Sequence, residues 1–200
     1  MFDLYRRHYC LFAHVRGALD RLRAVLQRLC AAGLKIKPAK TFLLQRSVGF
    51  LGHLVSADGI SAQPEKTVQI LNWGAPQCLR DVRAFIGITS YYRKFVKGYA
   101  ALAAPLTALM AKNRAFVWTQ GCQEAFEELK CVLASPPILA MPIDGGQHVL
   151  DCYVSDYAIG CVLSQIQGDE TRVVAYASRH LSPRERNYCV TRRELLAVVN

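Results

Sequence analysis

No run in this chain of 200 residues approaches the roughly 18 consecutive apolar residues that a membrane-spanning helix needs. The opening stretch, MFDLYRRHYCLFAHVRG, lacks the layout of a secretory leader, because its apolar run is short and is broken by charge and histidine. Tandem repeats and low-complexity tracts are absent. No two of the eight cysteines form a C-x-x-C pair, and their spacing is irregular. That argues against zinc signatures and a disulfide framework, and for buried thiols in a reducing compartment. Acid is scarce as well: 15 Asp and Glu stand against 25 Lys and Arg, a net charge of +10. Asp3 is alone before residue 16, so that stretch has no adjacent acid pair. The expectation is an intracellular protein, in cytoplasm or nucleus, with no membrane partner and with a polyanion, most simply nucleic acid, as its ligand.

An apolar share of 52% is enough for one or two domains with real cores. Residues 16–30 put Leu19, Leu22, Val25, Leu26 and Leu29 on one helical stripe, with Arg16, Arg21, Arg23 and Arg28 opposite. Gly33 and Pro38 end that helix; its charged face is ordinary solvated surface. Over residues 41–61 the period changes. Two apolar runs flank Gln45–Ser47, and Ala57-Asp58-Gly59 marks a second turn, which predicts a small hairpin with a third short strand.

Residues 64–99 are predicted helical, with Pro64 at a first helical position and Glu65 in the first turn. Trp73 to Pro76 interrupts them. Val82, Phe85, Ile86, Tyr92, Phe95 and Val96 then recur at helical spacing, with Arg80, Arg83, Arg93, Lys94 and Lys97 among Tyr91, Tyr92 and Tyr99. Cations interleaved with aromatics suit a surface that tracks a nucleic-acid backbone. Core tyrosines under a solvated basic face are the plainer alternative. A short helix over Ala101–Met110, a turn at Lys112–Arg114 and a helix capped by Thr119 follow, and Trp118 reads as core.

The last third, from Gln147, reads HVLDCYVSD, AIGCVLSQ, TRVVAYASRHLS and ERNYCVTRRELLAVVN. Three short apolar runs separated by turn clusters, then a helical pattern, predict a three-strand meander feeding a helix. In two-metal nuclease chemistry, an acid on the first strand would meet one on the helix. The helix supplies Glu194, whereas the strand carries Tyr153 where the acid should be. Asp151 shares the strand face of Tyr153 by the period of two, and Asp156 reads as a turn or cap residue.

These blocks resemble the Pol polyprotein of gypsy-type LTR retroelements, from the reverse transcriptase thumb and connection into the RNase H-like domain. That family's L-D-T-D-A-S-D stands here as Leu150 to Asp156, its G-A-V-L-S-Q as Gly160 to Gln165, its A-Y-A-S-R-x-L as Ala175 to Arg179 with Leu181, and its E-L-L-A-V-V as Glu194 to Val199. The F-L-G-H-x-V-S element is Phe50 to Ser56, and the thumb signature runs from Val82 to Phe95. The resemblance covers roughly residues 16–200. It implies an α+β fold: a helical thumb and connection with a small β-hairpin, followed by a partial RNase H-like three-stranded antiparallel sheet with helices. It implies domains at 1–60 (palm remnant with a primer-grip-like hairpin), 61–112 (thumb-like helices) and 113–200 (connection and truncated RNase H-like domain). Two loosely coupled lobes, parting near residue 112, are expected. The nucleic-acid-binding positions carried over are Gly52, His53, Arg83, Tyr91, Tyr92, Arg93, Lys94 and Lys97, and the partner is an RNA–DNA or DNA duplex, held weakly and without sequence preference. The sequence sets no oligomeric state.

The departures from the family bear on catalysis. Aligning Phe12-Ala13 with the family's F-S or F-A, with a one-residue deletion, puts the polymerase Y-x-D-D on Tyr5-Arg6-Arg7-His8, which removes both acids. The family's nuclease uses two Mg2+ ions held by about four carboxylates. Tyr153 removes the first, Glu194 retains the second, and this chain alone is expected to hold no cofactor metal. The reading is a catalytically silent remnant with residual duplex binding. The alternatives are a piece of an active RNA-directed DNA polymerase and ribonuclease H, or a recruited protein–protein interaction module.

Overall fold

In the computed structural model, which describes residues 15–38, 41–43, 45–111 and 115–199 (backbone alone for 15–18), the leucine-striped segment forms α1, Val15–Ala31. Gly33 N donates to Cys30 O and Leu34 N to Leu29 O, both at 2.9 Å, which satisfies the last carbonyls of the helix. This helix belongs to a first compact unit, Met1–Gln45, and the rest of the chain, Arg46–Asn200, to a second. Tyr5–His8 and the expected turn at Lys112–Arg114 lie outside the described residues.

The second unit opens with β1 (Ser47–Phe50), β2 (His53–Ser56) and β3 (Ile60–Ala62), an antiparallel sheet in that order. Pairing of Phe50 with His53 leaves Leu51-Gly52 as a two-residue loop, with φ of 45° and 73°. Positive φ at both positions is the primed turn whose twist matches the strands it joins, and Gly52 accepts it without steric cost. The first turn therefore falls at Leu51-Gly52 and not at Gln45–Ser47. The polar residues that suggested the earlier position lead into β1 instead.

α2 (Pro64–Leu71) starts on Pro64, which lacks the N–H that a first turn leaves unused. α3 (Leu79–Tyr91) buries Val82, Phe85 and Thr89 and runs into a 3-10 turn, Arg93–Phe95. The helix expected over Ala101–Met110 is two pieces, α4 (Tyr99–Leu102) and α5 (Ala104–Leu109). Pro105 cannot donate into a continuing ladder, so the second piece starts afresh around it. In α6 (Gln120–Ala134) the Thr119 side chain caps the first turn by accepting from Cys122 N.

β4 (His148–Val154), β5 (Ala158–Gln167) and β6 (Glu170–His180) form the second antiparallel sheet in sequential order, followed by α7 (Val190–Val199). The α+β expectation and the meander both hold. A bulge opposite Leu163/Ser164 shifts the β5–β6 register.

The expected loose coupling near residue 112 is not found. One core joins Phe85 and Phe95 to Leu106, Phe126 and Leu139, with Val173 and Tyr176 of β6 packed against it. Leu139 and Ile60 exchange two backbone hydrogen bonds of 2.8 Å, and Ala140 N donates to Val173 O at 2.7 Å, so one segment stitches both sheets together. Fully buried Gln165 secures the approach to β4: its amide donates to the carbonyls of Ile143 and Gly145 and accepts from Ile143 N. Periodicity could not reveal this joint, because an extended linker that pairs with two sheets has no period of its own. No helix among the described residues is long and apolar enough to cross a membrane.

Candidate functional site

The β1–β2 tip is built by its own chain and held by α3. Tyr92 Oη donates to Gly52 O at 3.0 Å, Tyr91 Oη donates to Leu51 O, and Gln63 N donates to Gly52 O at 3.1 Å. A Cβ on Gly52 would stand 3.2 Å from Tyr92 Oη and 3.3 Å from the Tyr91 ring, so the tip has room for hydrogen there and little more. His53 lies next to it. Its ring stacks on Tyr91 at 5.2 Å and 6° and meets Phe95 at 5.6 Å and Tyr92 edge-on at 5.8 Å. Burial first, and then the Lys94 ammonium, push the imidazole below its ordinary value. At pH 7 His53 is thus neutral and can offer a hydrogen bond but no charge.

The neighbouring cations differ in exposure. Arg93 and Lys97 are exposed, and half-buried Lys94 sits 5.2 Å from the Phe95 ring centroid, its ammonium pushed down by burial. Arg83 is exposed further back on α3. The tyrosines separate clearly. Tyr91 is 50% exposed, whereas Tyr92 at 2% holds the tip from inside. Tyr99 is core, its hydroxyl 2.9 Å from Thr89 Oγ1.

Tyr153 and Glu194 do not converge. Tyr153 pairs with Gly160 across β4–β5, and its ring covers that glycine so closely that a Cβ would fall 2.4 Å from it. On the same face Lys97 Nζ is 5.7 Å from the ring centroid. The hydroxyl is buried beside the Gly98 backbone, and burial pushes it above the ordinary phenol value. α7 packs on the opposite face, where Leu196 and Ala197 meet Cys152, Val154 and Ile159. Glu194 points from that helix as an exposed residue.

The other acids are otherwise engaged. Asp156 accepts from Arg193 at 2.9 Å, which ties the β4–β5 turn to α7. Glu185 takes both arms of Arg179 at 2.9 and 3.0 Å and caps Ser182 N at 2.7 Å; these hydrogen bonds, led by Arg179, hold its carboxyl at about 2. Asp151 is exposed on β4. Among the described residues no three His, Cys, Asp or Glu side chains are grouped so as to hold a metal ion, so this set of donors does not fit a two-metal site.

Sequence reasoning missed the clamp of Tyr91 and Tyr92 on the hairpin tip and the Tyr153–Gly160 stack. The second had a signal: a tight turn around Ser155–Ala158 sets Tyr153 opposite Gly160, and a large ring over a residue without a side chain is a complementary pair. The first had none, since the contacts span 40 residues.

Residues 118–200 match the RNase H-like domain found in reverse transcriptase. Over 183 residues the chain is 38% identical to the retrovirus-related Pol polyprotein from transposon 297 of Drosophila melanogaster, covering 90% of this chain and 17% of that protein. The Pol polyprotein from transposon gypsy of the same fly is 36% identical over 198 residues, covering 93% of this chain and 18% of its own length. The chain thus spans less than a fifth of these relatives. Among solved structures, the foamy viral protease-reverse transcriptase in complex with double-stranded DNA superposes with a TM-score of 0.81 at 22% identity, covering 94% of this chain and 33% of that one. The same viral protein in complex with RNA/DNA hybrid gives 0.80 at 22% identity, covering 94% and 26%. The chain belongs to the Pol polyproteins of gypsy-type LTR retroelements, as a segment that runs from the reverse transcriptase into its RNase H-like domain.

Proposed function

We propose that this chain is a reverse transcriptase/RNase H segment that binds primer–template-like duplexes weakly and without sequence preference, and that it catalyses neither strand cleavage nor nucleotide addition on its own. Residues 1–60 are the palm remnant with the primer-grip-like hairpin, 61–112 the thumb-like part, and 113–200 the connection and RNase H-like part; the site of action is inside the cell. One observation carries the binding: half-exposed Tyr91 is hydrogen-bonded to the tip, Lys94 lies close enough to His53 to depress its imidazole, and the exposed cations Arg93 and Lys97 follow on the same stretch of chain. Phosphates neutralised by such cations release counterions, and an exposed aromatic ring adds stacking. The foamy viral enzymes of the same fold, bound to double-stranded DNA and to RNA/DNA hybrid, support the class of ligand. Gly52 and Tyr92 shape the tip, His53 donates a neutral hydrogen bond, and Arg83 extends the basic surface.

Duplex affinity measured by fluorescence anisotropy should fall with a log–log salt slope of about −0.9 for each phosphate neutralised. The double variant Arg93→Glu, Lys94→Glu should weaken binding by about tenfold or more and flatten that slope by about two. Affinity that is flat with salt, or unmoved by the charge reversal, would sink the reading in favour of a protein-interaction module.

Silence in catalysis rests on the donor set: among the described residues no three His, Cys, Asp or Glu side chains are grouped, and Tyr153 stands where the first acid would be, so restoring that one acid leaves the set incomplete. The Tyr153 phenol fills the space a cation would need, is uncharged at pH 7, and faces away from the helix that carries Glu194. Purified chain with Mg2+ or Mn2+ should leave a labelled RNA–DNA hybrid intact, and Tyr153→Asp should leave it intact too. Metal-dependent cleavage that disappears in Glu194→Gln would overturn this. The span of less than a fifth of the relatives favours one second reading, a piece of an active polyprotein whose remaining acids lie elsewhere. Cleavage by a longer chain carrying Tyr153 would establish it.

A further inference from the structure

Two thiols face each other across the β4–β5 hairpin. Cys152 and Cys161 are direct register partners. The kind of pair they form follows from the ends of the ladder. Ser155 N donates to Ala158 O at 2.8 Å, and Ile166 N donates to Gln147 O at 2.9 Å. In an antiparallel pair, hydrogen-bonded and non-hydrogen-bonded positions alternate. Residues 147 and 155 both sit at hydrogen-bonded positions, so every second residue between them does, and Cys152 falls in between. Non-hydrogen-bonded partners hold their Cα atoms about 4.5 Å apart, with the side chains at their closest. That separation lies inside the range of roughly 4.4–6.8 Å that a disulfide spans.

The surroundings allow the reaction. Both thiols are free and half-buried. Cys152 lies on β4, an edge strand, and packs against the cluster of Ile159, Leu181 and Ala197 under α7. No third ligating side chain joins the two among the described residues, so they are not part of a metal site. In the family motifs quoted above, the same positions carry threonine and alanine, which cannot form this bond.

We propose that Cys152 and Cys161 are a redox pair that closes to an intramolecular cross-strand disulfide. The oxidant is a low-molecular-weight disulfide. A protein thiolate attacks one of its sulfurs, forming a mixed disulfide and releasing one small thiolate. The second protein thiolate then attacks the mixed disulfide at the protein sulfur and releases the other. The two protein thiols lose two electrons and two protons, and the oxidant becomes two small thiols. The bond fastens the edge strand of the RNase H-like sheet to its neighbour.

The test equilibrates the reduced full-length chain in a glutathione redox buffer, quenches with acid, alkylates, and maps the peptides after cleavage at Tyr157. The expected result is a Cys152–Cys161 linked peptide, formed ahead of every other pairing, with two alkylatable thiols lost. The linkage should vanish in Cys152→Ser and in Cys161→Ser. Because either variant can fold poorly, the wild-type chain is also oxidised in denaturing urea, where the preference for this pair should be lost. Glutathione on Cys30, Cys78, Cys131 or Cys189, with Cys152 and Cys161 left as thiols, would overturn the proposal. The same preference in native buffer and in urea would overturn it too, because the pairing would then owe nothing to the fold.

Discussion

Gly59→Ala should lower unfolding stability by about 3 kcal/mol or more, from forced backbone strain combined with hydrogen bonds lost at a buried site. Gly59 sits at φ 138°, a region closed to side-chain-bearing residues. An added Cβ would fall 2.2 Å from Leu139 O and 3.0 Å from Leu139 C, and those atoms belong to the backbone that stitches the two sheets. Leu139 O accepts from Ile60 N, so moving it breaks that bond and strands the reciprocal one. A flexible side chain could swing aside; a paired main chain cannot. Gly87→Ala is the matched control. Gly87 is exposed within α3 and a Cβ there meets nothing within 4 Å, so alanine should stabilise by about 0.5–1 kcal/mol. Urea titrations of both variants read the contrast as midpoint shifts of opposite sign. A Gly59→Ala midpoint equal to that of the parent would mean that the Leu139 bridge contributes nothing.

Phe85→Ala should cost about 3–5 kcal/mol, as large aromatic truncations in a packed core do. Phe85 has no exposed surface, its ring centroid is 4.6 Å from that of Phe126, and it meets Trp73 edge-on at 6.0 Å. The cavity would open between α3 and α6, on either side of the expected division at residue 112. Trp73 reports one side of it, and Trp118, 6.0 Å from Phe126, the other. Because one core serves both parts of Arg46–Asn200, tryptophan fluorescence and far-ultraviolet dichroism should lose structure in the same transition. Two separated transitions would restore the picture of independent lobes.

What was legible in the sequence follows from what local spacing can encode. The meander and its helix were readable because each strand and turn announces itself within ten residues or so. Pro64, Thr119 and Gly33 marked helix ends through backbone chemistry confined to one turn. The hairpin turn was misplaced because a polar cluster outweighed Leu51-Gly52, where positive φ at a leucine has no composition signal. Of the site, the residue types were legible and their grouping was not. That Tyr92 is a buried brace while its neighbour Tyr91 is half-exposed depends on which side of α3 meets the hairpin. That Tyr153 and α7 lie on opposite faces depends on the sheet's orientation in the whole unit.

The stitch at Leu139–Ala140 also sets a timetable for synthesis. Phe85, Phe95 and Leu106 leave the ribosome well before Leu139, and before Val173 and Tyr176, which pack against the same core. At about 5–20 residues per second, the stretch of about 70 residues from Leu106 to Tyr176 takes roughly 4–14 s to make. Early in that interval the apolar side of the helical segment has no cover; α6 and Leu139 then bring most of it, and the part that Val173 and Tyr176 pack against stays open until β6 is made. The part that resembles a thumb cannot mature first and wait for the sheet. Its cover is complete only when β6 has emerged, so a translational pause before that emergence should raise aggregation, whereas the same pause after it should not.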